Sequence, residues 1–279
     1  LKTVINCSNL TFTKGSTDYG YVAYYADEVI NAPNGTIVGD WVFSTVDGKH
    51  TLAGYLGNAT EIVLPENYNG DSYSIGNEVF KNKTSITSIE IPNSVTSIGG
   101  WAFAYSGIGS IEIPDGVTSI ENGTFNECSI LTNVVIPNSV TSIGSSAFSD
   151  CYYLPSIEIP NNVKSIGDKA FLYCYRLTDV TIGESVVSIG EDAFKHCERL
   201  TSITIPNSVT KIGDYAFWYC YDLASVTVGN GLKSVGYDAF RDCSVLKEVH
   251  ITDVSAWCKI SFESAYSNPL TSAYSLYMN

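Results

Sequence analysis

Residues 136–158 read IPNSVTSIGSSAFSDCYYLPSIE, and the 23 residues after them, 159–181, read IPNNVKSIGDKAFLYCYRLTDVT. Both segments start with Ile-Pro-Asn, carry Ser-Ile-Gly in the middle and continue with Ala-Phe-x-x-Cys. A repeat of this length predicts a solenoid, in which each copy forms one coil and buries its apolar edge against the next coil.

The same pattern extends in both directions along the chain. A Phe recurs every 23 residues, with one interval of 22, and an Ile or Val stands five residues before each Phe. From the third Phe onward, a Cys follows three residues later. The Phe column comprises Phe80, Phe103, Phe125, Phe148, Phe171, Phe194, Phe217 and Phe240, and the Cys column comprises Cys128, Cys151, Cys174, Cys197, Cys220 and Cys243.

Each copy is short enough to interpret residue by residue. Ile89 and Ile91 alternate with polar residues, which is the period of a strand with one buried face. Pro-Asn then turns the chain, and Gly99 permits a tight corner. Residues 99–106, GGWAFAYS, are long enough for about one helical or 3₁₀ turn. The repeat therefore predicts a mostly β coil that carries a strand and a short turn.

Residues 91–103, 136–151, 159–174 and 205–220 resemble BspA-type leucine-rich repeats of bacteria, the LRR_5 class. The resemblance covers roughly residues 60–252. It departs from the repeat L-x-x-L-x-L-x-x-N, because Pro-Asn-Ser-Val stands where an Asn ladder would follow the strand. The resemblance implies a right-handed, curved leucine-rich-repeat solenoid with a parallel sheet on its inner face. It also implies association with bacterial cell surfaces, adhesion to host matrix proteins and co-aggregation.

The repeats divide the chain into three parts. Residues 1–57 are predicted to form an N-terminal cap or a segment between repeat blocks, 58–251 a solenoid of about eight repeats, and 252–279 an irregular, partly helical C-terminal cap. In the first part, Asp47-Gly48 joins two strand patterns as a hairpin, and residues 20–30 are predicted to form a short helix. Because the opening LKTVIN resembles LKEVHI at 246–251, we expect the chain to begin on the last strand of an earlier block.

The charge of the chain limits its partners. Asp and Glu number 29 against 15 Lys and Arg, which gives a formal net charge of −14. Such a surface repels phosphate backbones and anionic lipids, so nucleic acid is not an expected partner. No stretch approaches the roughly 18 apolar residues that a membrane helix needs, so membrane insertion is not expected. We expect an extracellular or cell-surface protein whose signal peptide was cleaved or lies outside this chain.

The cysteines of the repeats are predicted to be buried thiols. Side chains on stacked coils lie parallel about 4.8 Å apart, which suits neither a disulfide nor the converging ligands of zinc. Whether Cys7 and Cys258 are free stays open. The three His residues join no motif of a known catalytic site, so we expect no enzyme, no catalytic residues, no metal and no cofactor.

Two surfaces are candidates for binding. The turn after each Phe varies between copies and is rich in aromatic residues, which interfaces use. This candidate patch comprises Tyr152, Tyr173, Tyr175, Trp218, Tyr219 and Tyr221. The outward strand positions are predicted to line a polar concave face, which comprises Glu90, Glu112, Glu158, Asp179, Thr181, Thr204, Thr227 and His250. The alternative explanation of the aromatic patch is packing between coils. The alternative explanation of the polar face is that it keeps the sheet soluble.

Three functions fit these features. The first is a non-enzymatic interaction or adhesion module that binds a protein of the host or of a neighbouring cell through one face of the solenoid. The second is a structural spacer within a longer surface protein. The third is carbohydrate binding through the Tyr/Trp patch.

Overall fold

Successive repeats form the coils of a mostly β solenoid in a computed structural model that describes residues 3–16, 26–273 and 275–278. The predicted solenoid with its parallel sheet is confirmed. The longest α-helix in these ranges is α1 (Val254–Trp257), and two 3₁₀ helices, Ala265–Ser267 and Pro269–Thr271, follow it. No helix within the described ranges is therefore long enough to cross a membrane.

Two columns of short strands run along the solenoid. The first column consists of β6 (Glu61–Val63), β8 (Ser88–Glu90), β10 (Ser110–Glu112), β12 (Asn133–Val135), β14 (Ser156–Ile159), β16 (Asp179–Ile182), β18 (Ser202–Ile205), β20 (Ser225–Val228), β22 (Glu248–Ile251) and β24 (Ser275–Met278). The second consists of β7 (Tyr73–Ile75), β9 (Val95–Ile98), β11 (Ser119–Ile120), β13 (Ser142–Ile143), β15 (Ser165–Ile166), β17 (Ser188–Ile189), β19 (Lys211–Ile212), β21 (Ser234–Val235) and β23 (Ser261–Phe262). Pairing is parallel between successive coils, and Ser156 pairs with Asp179, 23 residues later.

The Phe column forms the centre of the core. All eight side chains are at most 2% exposed. Rings of successive coils stack with centroids 5.1–5.5 Å apart and planes within 15° of each other. This spacing is close to the distance between neighbouring strands, so each ring fills the gap above the ring of the preceding coil.

The segment around each Phe is not the predicted helical turn but a series of hydrogen-bonded turns. Residues two before and two after the Phe have positive φ, as Ser146 (55°) and Asp150 (62°) do around Phe148. The Phe148 amide donates to the Ala170 carbonyl in the next coil at 2.8 Å, and the Asp150 amide donates to the Leu172 carbonyl at 2.7 Å. Bonds between coils thus replace the bonds that would close a helix.

A glycine follows Ser-Ile in most coils, with Glu121 in its place in one, and it is explained by the approach of two coils rather than by a corner. A Cβ at residue 190 would lie 2.6 Å from the Asp168 amide nitrogen. At Gly99 it would lie 2.6 Å from the Asn77 amide nitrogen, and φ there is not positive. At these two positions a side chain would clash with the backbone of the preceding coil, and glycine avoids the clash.

The Cys column is buried as predicted, and its thiols also make hydrogen bonds. Cys174 Sγ donates to the Phe148 carbonyl at 3.2 Å, and that carbonyl also accepts the amide of Cys151. The described cysteines are all free thiols, and Cys7 and Cys258 are exposed. Burial raises the pKa of Cys128 to about 11 and that of Cys243 to about 12. The interpretation of these residues as apolar fillers is therefore incomplete.

The N-terminal part begins with β1 (Thr3–Asn6) and β2 (Glu28–Asn31), which pair in parallel. The helix predicted over residues 20–30 is wrong for residues 28–30, because they pair with β1, and residues 20–25 lie outside the described residues. The hairpin is present between β4 (Trp41–Val46) and β5 (Lys49–Tyr55), with β3 (Thr36–Val38) beside β4. Asp47 and Gly48 both have positive φ, as a two-residue hairpin turn requires.

The hairpin and the C-terminal segment adjoin the two ends of the stack. Strand β5 pairs in parallel with β7, which places the hairpin at the start of the second column. After the last coil, Ser264 Oγ accepts the Asp238 amide at 3.1 Å and the Tyr266 carbonyl accepts the Phe240 amide at 2.9 Å. These are the amides that a further coil would bind. The domain boundaries at residues 57 and 251 stay a prediction.

Replacing one ring of the Phe column should destabilise the solenoid. We expect Phe171→Ala to lower the free energy of unfolding by about 3–5 kcal/mol, because it leaves a cavity between two stacked rings. Phe171→Leu, the control, keeps most of the volume and should lose less. Urea unfolding measures both, and a loss below about 1 kcal/mol for Phe171→Ala would contradict the buried column.

The buried thiols should make the protein unstable in alkali. Burial holds the pKa of Cys174 above its ordinary value of 9.0, so the unfolded thiol releases its proton at lower pH than the folded one. The stabilisation is complete below pH 9 and falls as the pH rises above it. Removing one such group should lessen the fall by about 1.4 kcal/mol per pH unit.

Urea unfolding of Cys174→Ala and wild type between about pH 9 and 10 measures this difference in slope. Cys258→Ala removes an exposed thiol and should keep the wild-type slope. An unchanged slope in Cys174→Ala would show that the thiol is not held protonated by the fold.

Candidate interaction surface

The turns after the Phe column carry a continuous row of aromatic side chains across neighbouring coils. We call this row the aromatic ridge. Every member is half-buried or exposed and is in ring contact with another member. Its residues are Tyr152, Tyr173, Tyr175, His196, Tyr215, Trp218, Tyr219, Tyr221 and Tyr237.

Rings on successive coils stack along the solenoid axis. The His196 ring lies 4.9 Å from Tyr173 on one side and 4.5 Å from Tyr219 on the other, and these three occupy the same position of three coils. Tyr152 and Tyr175 stack in the same way at 5.5 Å. Because the fold sets this spacing, neighbouring rings lie partly over one another, with planes about 26–31° apart.

Contacts within and beside each coil extend the ridge sideways. Trp218 stacks on Tyr219 at 4.5 Å and lies 5.1 Å from Tyr215, which in turn contacts Tyr237 edge to face at 5.8 Å. Trp218 Nε1 donates to Asp242 Oδ2 at 2.9 Å. These contacts hold the indole in place without burying it.

The structure brings all six residues of the predicted aromatic patch into this ridge. Sequence reasoning missed three members. His196 lies two residues after the Phe of its coil, at the position that Tyr173 and Tyr219 occupy in theirs. The repeat period was therefore enough to place His196 beside these two residues. Tyr215 and Tyr237 precede the Phe of their coils, and only the fold brings Tyr215 beside Trp218 and Tyr237 beside Tyr215. Whether these residues bind a ligand stays a prediction.

Two cations of the ridge are held by nearby carboxylates. Lys195 Nζ lies 3.0 Å from Asp192 Oδ1 and 4.5 Å from the Trp218 ring centroid. Arg241 Nη1 lies 3.1 Å from Asp238 Oδ2, and its guanidinium is 5.5 Å from the same ring. Each cation is thus paired and packs against the indole.

Other carboxylates of the ridge bind neutral donors instead. The Tyr152 hydroxyl donates to Asp150 Oδ1 at 3.1 Å. Burial first, and the negative charge of Asp150 second, raise the pKa of Tyr152 to about 12. Burial and then the charge of Glu198 likewise raise the pKa of Tyr175. The hydroxyls therefore stay protonated and act as donors near neutral pH.

The predicted polar sheet face lies on the first strand column. Glu90, Glu112, Glu158, Asp179, Thr181 and Thr204 are exposed, whereas Thr227 and His250 are half-buried. His250 stacks on Tyr277 of the C-terminal segment at 4.9 Å. A groove of about 530 Å³ runs past Glu90 and Glu112. The structure places these residues on one face but does not bring them into a convergent site.

A metal site is not formed by the part of the chain that the structure describes. No group of three or more His, Cys, Asp or Glu lies close enough there to hold an ion. Cys197 is buried while its neighbour His196 belongs to the ridge, so the two do not form a nucleophile and base.

Comparison with known proteins places this geometry in a family. A model described as the BspA type leucine-rich repeat region matches six copies over residues 54–177 and 141–268. A leucine-rich repeat protein from Bacteroides ovatus is 27% identical with a TM-score of 0.70, and the match covers 81% of this chain and 66% of that one. The present chain thus spans 66% of the length of that protein, with which it shares its fold.

Two further solved structures are more distant. A leucine-rich cell surface protein from Faecalibacterium prausnitzii is 22% identical with a TM-score of 0.39, with 84% of this chain and 99% of that one covered. The pneumococcal vaccine antigen PcpA is 16% identical with a TM-score of 0.30, with 85% and 90% covered. A search of the curated proteins gives no significant match.

The ring stack should contribute measurably to stability. We expect a double-mutant cycle of His196→Ala and Tyr219→Ala, measured by urea unfolding, to give a coupling energy of about 0.5–1.5 kcal/mol. The control cycle of Tyr219→Ala with Tyr277→Ala joins residues on different faces and should be additive within about 0.5 kcal/mol. A coupling near zero in the first cycle would contradict the stacking of these rings in solution.

Proposed function

The chain belongs to the BspA-type leucine-rich repeat family, and from that premise we propose that it is a non-enzymatic interaction module that binds a protein partner through the aromatic ridge. Location at the bacterial surface or in the extracellular space is part of this proposal. The resemblance that identifies the repeats supports that location, since it implies association with cell surfaces and adhesion.

The observation that carries the proposal is the contiguity of nine aromatic rings at positions that the scaffold leaves free. The Phe, Cys and Gly positions repeat because the stack requires them. The position two residues after the Phe instead holds Tyr105, Glu127, Asp150, Tyr173 or His196 in successive coils. Packing alone does not require aromatic residues there. Tyr and Trp are enriched at the centres of protein interfaces, where their rings are buried and their polar groups stay bonded.

The orientation of the rings favours a protein over a carbohydrate. A sugar ring stacks on an exposed aromatic face. In the ridge, Tyr173, His196 and Tyr219 cover one another's faces, and Arg176 covers the nearby Tyr153 ring at 4.2 Å. What remains accessible is ring edges, hydroxyls and carboxylates, and these suit the mixed polar and apolar surface of a polypeptide.

A binding screen tests this proposal. The purified chain is tested against immobilised host matrix proteins and a glycan array, with Tyr175→Ala, Tyr221→Ala and their combination beside wild type. We expect saturable binding to a protein and at least a tenfold loss in the combined variant, because hot-spot Tyr truncations cost about 2 kcal/mol or more.

The matched control is Tyr277→Ala. Its side chain is 43% exposed, against 38% for Tyr221, but it lies on the strand face beside His250. The control should bind as wild type does. Protein binding that survives the combined ridge variant would move the site away from the ridge. Saturable binding to a glycan that is lost in that variant would show that the ligand is a carbohydrate rather than a protein. No binding at all would favour a structural spacer.

A further inference from the structure

Three carboxylates beside the ridge have no Lys or Arg partner among the residues that the structure describes. Glu127, Asp150 and Glu198 lie in the turns after Phe125, Phe148 and Phe194, and no Lys or Arg nitrogen is within 4.0 Å of them there. The carboxylates on the other side of the ridge differ in this respect, since Asp192 pairs with Lys195 and Asp238 with Arg241.

Hydroxyl groups and the His196 imidazole hold two of these carboxylates, Asp150 and Glu198, in place. Asp150 accepts from the Tyr152 hydroxyl at 3.1 Å and from Ser149 Oγ at 2.6 Å. Glu198 Oε1 lies 3.2 Å from His196 Nδ1. All three carboxylates are half-buried. A hydroxyl donor orients a carboxylate but leaves its charge, and no Lys or Arg of the described residues pairs with these three, so this side of the ridge presents negative charge.

The carboxylates follow the solenoid axis. Glu127 and Asp150 occupy the same position of adjacent coils, and Glu198 lies two coils beyond Asp150. With about 4.8 Å between coils, the three span roughly 14 Å, which four or five residues of an extended chain cover. Tyr173 and Tyr175 occupy the coil between Asp150 and Glu198 and separate the two charges.

Aromatic rings in and beside the ridge already pack against cations of this chain. The Arg176 guanidinium lies 4.2 Å from the Tyr153 ring centroid, and Lys195 Nζ lies 4.5 Å from that of Trp218. Aromatic rings attract cations through their faces, and the aliphatic stems of Lys and Arg pack on ring edges. The net charge of −14 also draws a basic partner toward the molecule and repels an acidic one.

We propose that the partner of the aromatic ridge is a basic, extended polypeptide segment that lies along the solenoid axis and places Lys or Arg side chains against Glu127, Asp150 and Glu198. This inference rests on the proposed function and specifies the chemistry of the partner. The hydroxyls and ring edges of Tyr173 and Tyr175 contact the aliphatic stems of those Lys or Arg side chains, between Asp150 and Glu198.

The probe is a fluorescent peptide of about 12 residues in which Lys alternates with Thr, so that its cations lie on one side of an extended chain. Anisotropy at about 50 mM NaCl measures its Kd for the full chain. The test variant is Glu127→Gln/Asp150→Asn/Glu198→Gln, which keeps the size and one acceptor oxygen of each side chain but removes its charge. The control variant, Glu90→Gln/Glu112→Gln/Glu158→Gln, removes the same charge from the strand face. Thermal unfolding checks that both variants are folded.

We expect saturable binding by wild type, at least a tenfold higher Kd for the ridge variant and less than a threefold change for the control. Binding should weaken steeply toward about 500 mM NaCl, since salt screens exposed charges. A peptide with Glu in place of Lys should not bind. If both variants bound the Lys peptide equally weakly, the effect would be one of net charge and the proposal would be overturned. Loss of binding in the control variant alone would also overturn it. So would equal binding of the Glu peptide, or no binding of the Lys peptide by wild type.

The screen of the preceding section separates this inference from the proposed function. Suppose that a protein partner no longer binds the Tyr175→Ala/Tyr221→Ala variant. If the same partner still binds the ridge carboxylate variant as tightly as wild type, and binds equally well at high salt, the proposal of a basic segment is overturned. The proposal of an interaction module is then still supported.

Discussion

The backbone hydrogen bonds between successive coils are the constraint on which the rest of the structure depends. They occur in the strand columns and again in the turns around each Phe, where the Phe148 amide donates to the Ala170 carbonyl. Neighbouring coils must therefore approach to the strand spacing all round the perimeter. The glycine that follows Ser-Ile in most coils is explained by this approach, because a Cβ at residue 190 would lie 2.6 Å from the Asp168 amide nitrogen.

At this spacing, equivalent residues of successive repeats form a column. The columns differ in which side chains they accept. Inside, Phe rings stack 5.1–5.5 Å apart, and each thiol reaches a carbonyl of the preceding coil, as Cys174 Sγ reaches Phe148. Outside, the same distance brings His196 within 4.5 Å of Tyr219. An interior column tolerates few side chains, since any change alters volume or leaves a carbonyl less well satisfied. A turn column faces solvent and accepts Tyr, Glu, Asp or His at one position.

The period was enough to predict the solenoid and the buried Phe and Cys columns, because it states which residues become equivalent, and the resemblance to BspA-type repeats implied the parallel sheet. The period also aligned Tyr173 with Tyr219. It did not reveal the thiol hydrogen bonds or the positive φ of Ser146 and Asp150, since these depend on how the turn directs its amides. Nor did it show that Tyr215 lies beside Trp218, because sideways contacts depend on chain path rather than on spacing. The expected helix over residues 20–30 failed at residues 28–30 because pairing with β1 outweighed local preference.

This division between columns separates stability from recognition within one repeat. The groups that hold the stack are buried, and each is bonded or packed within its own column. The ridge residues add ring contacts worth modest energies, so their identity is free to follow a partner. The ridge also joins groups from several coils, and Asp150 and Glu198 come from turns two coils apart. A ligand that engages both must run along the axis, since no single repeat carries the whole surface. Under the proposed function, recognition is therefore a property of the stack, and a loss of register between coils would abolish it even where each turn is intact.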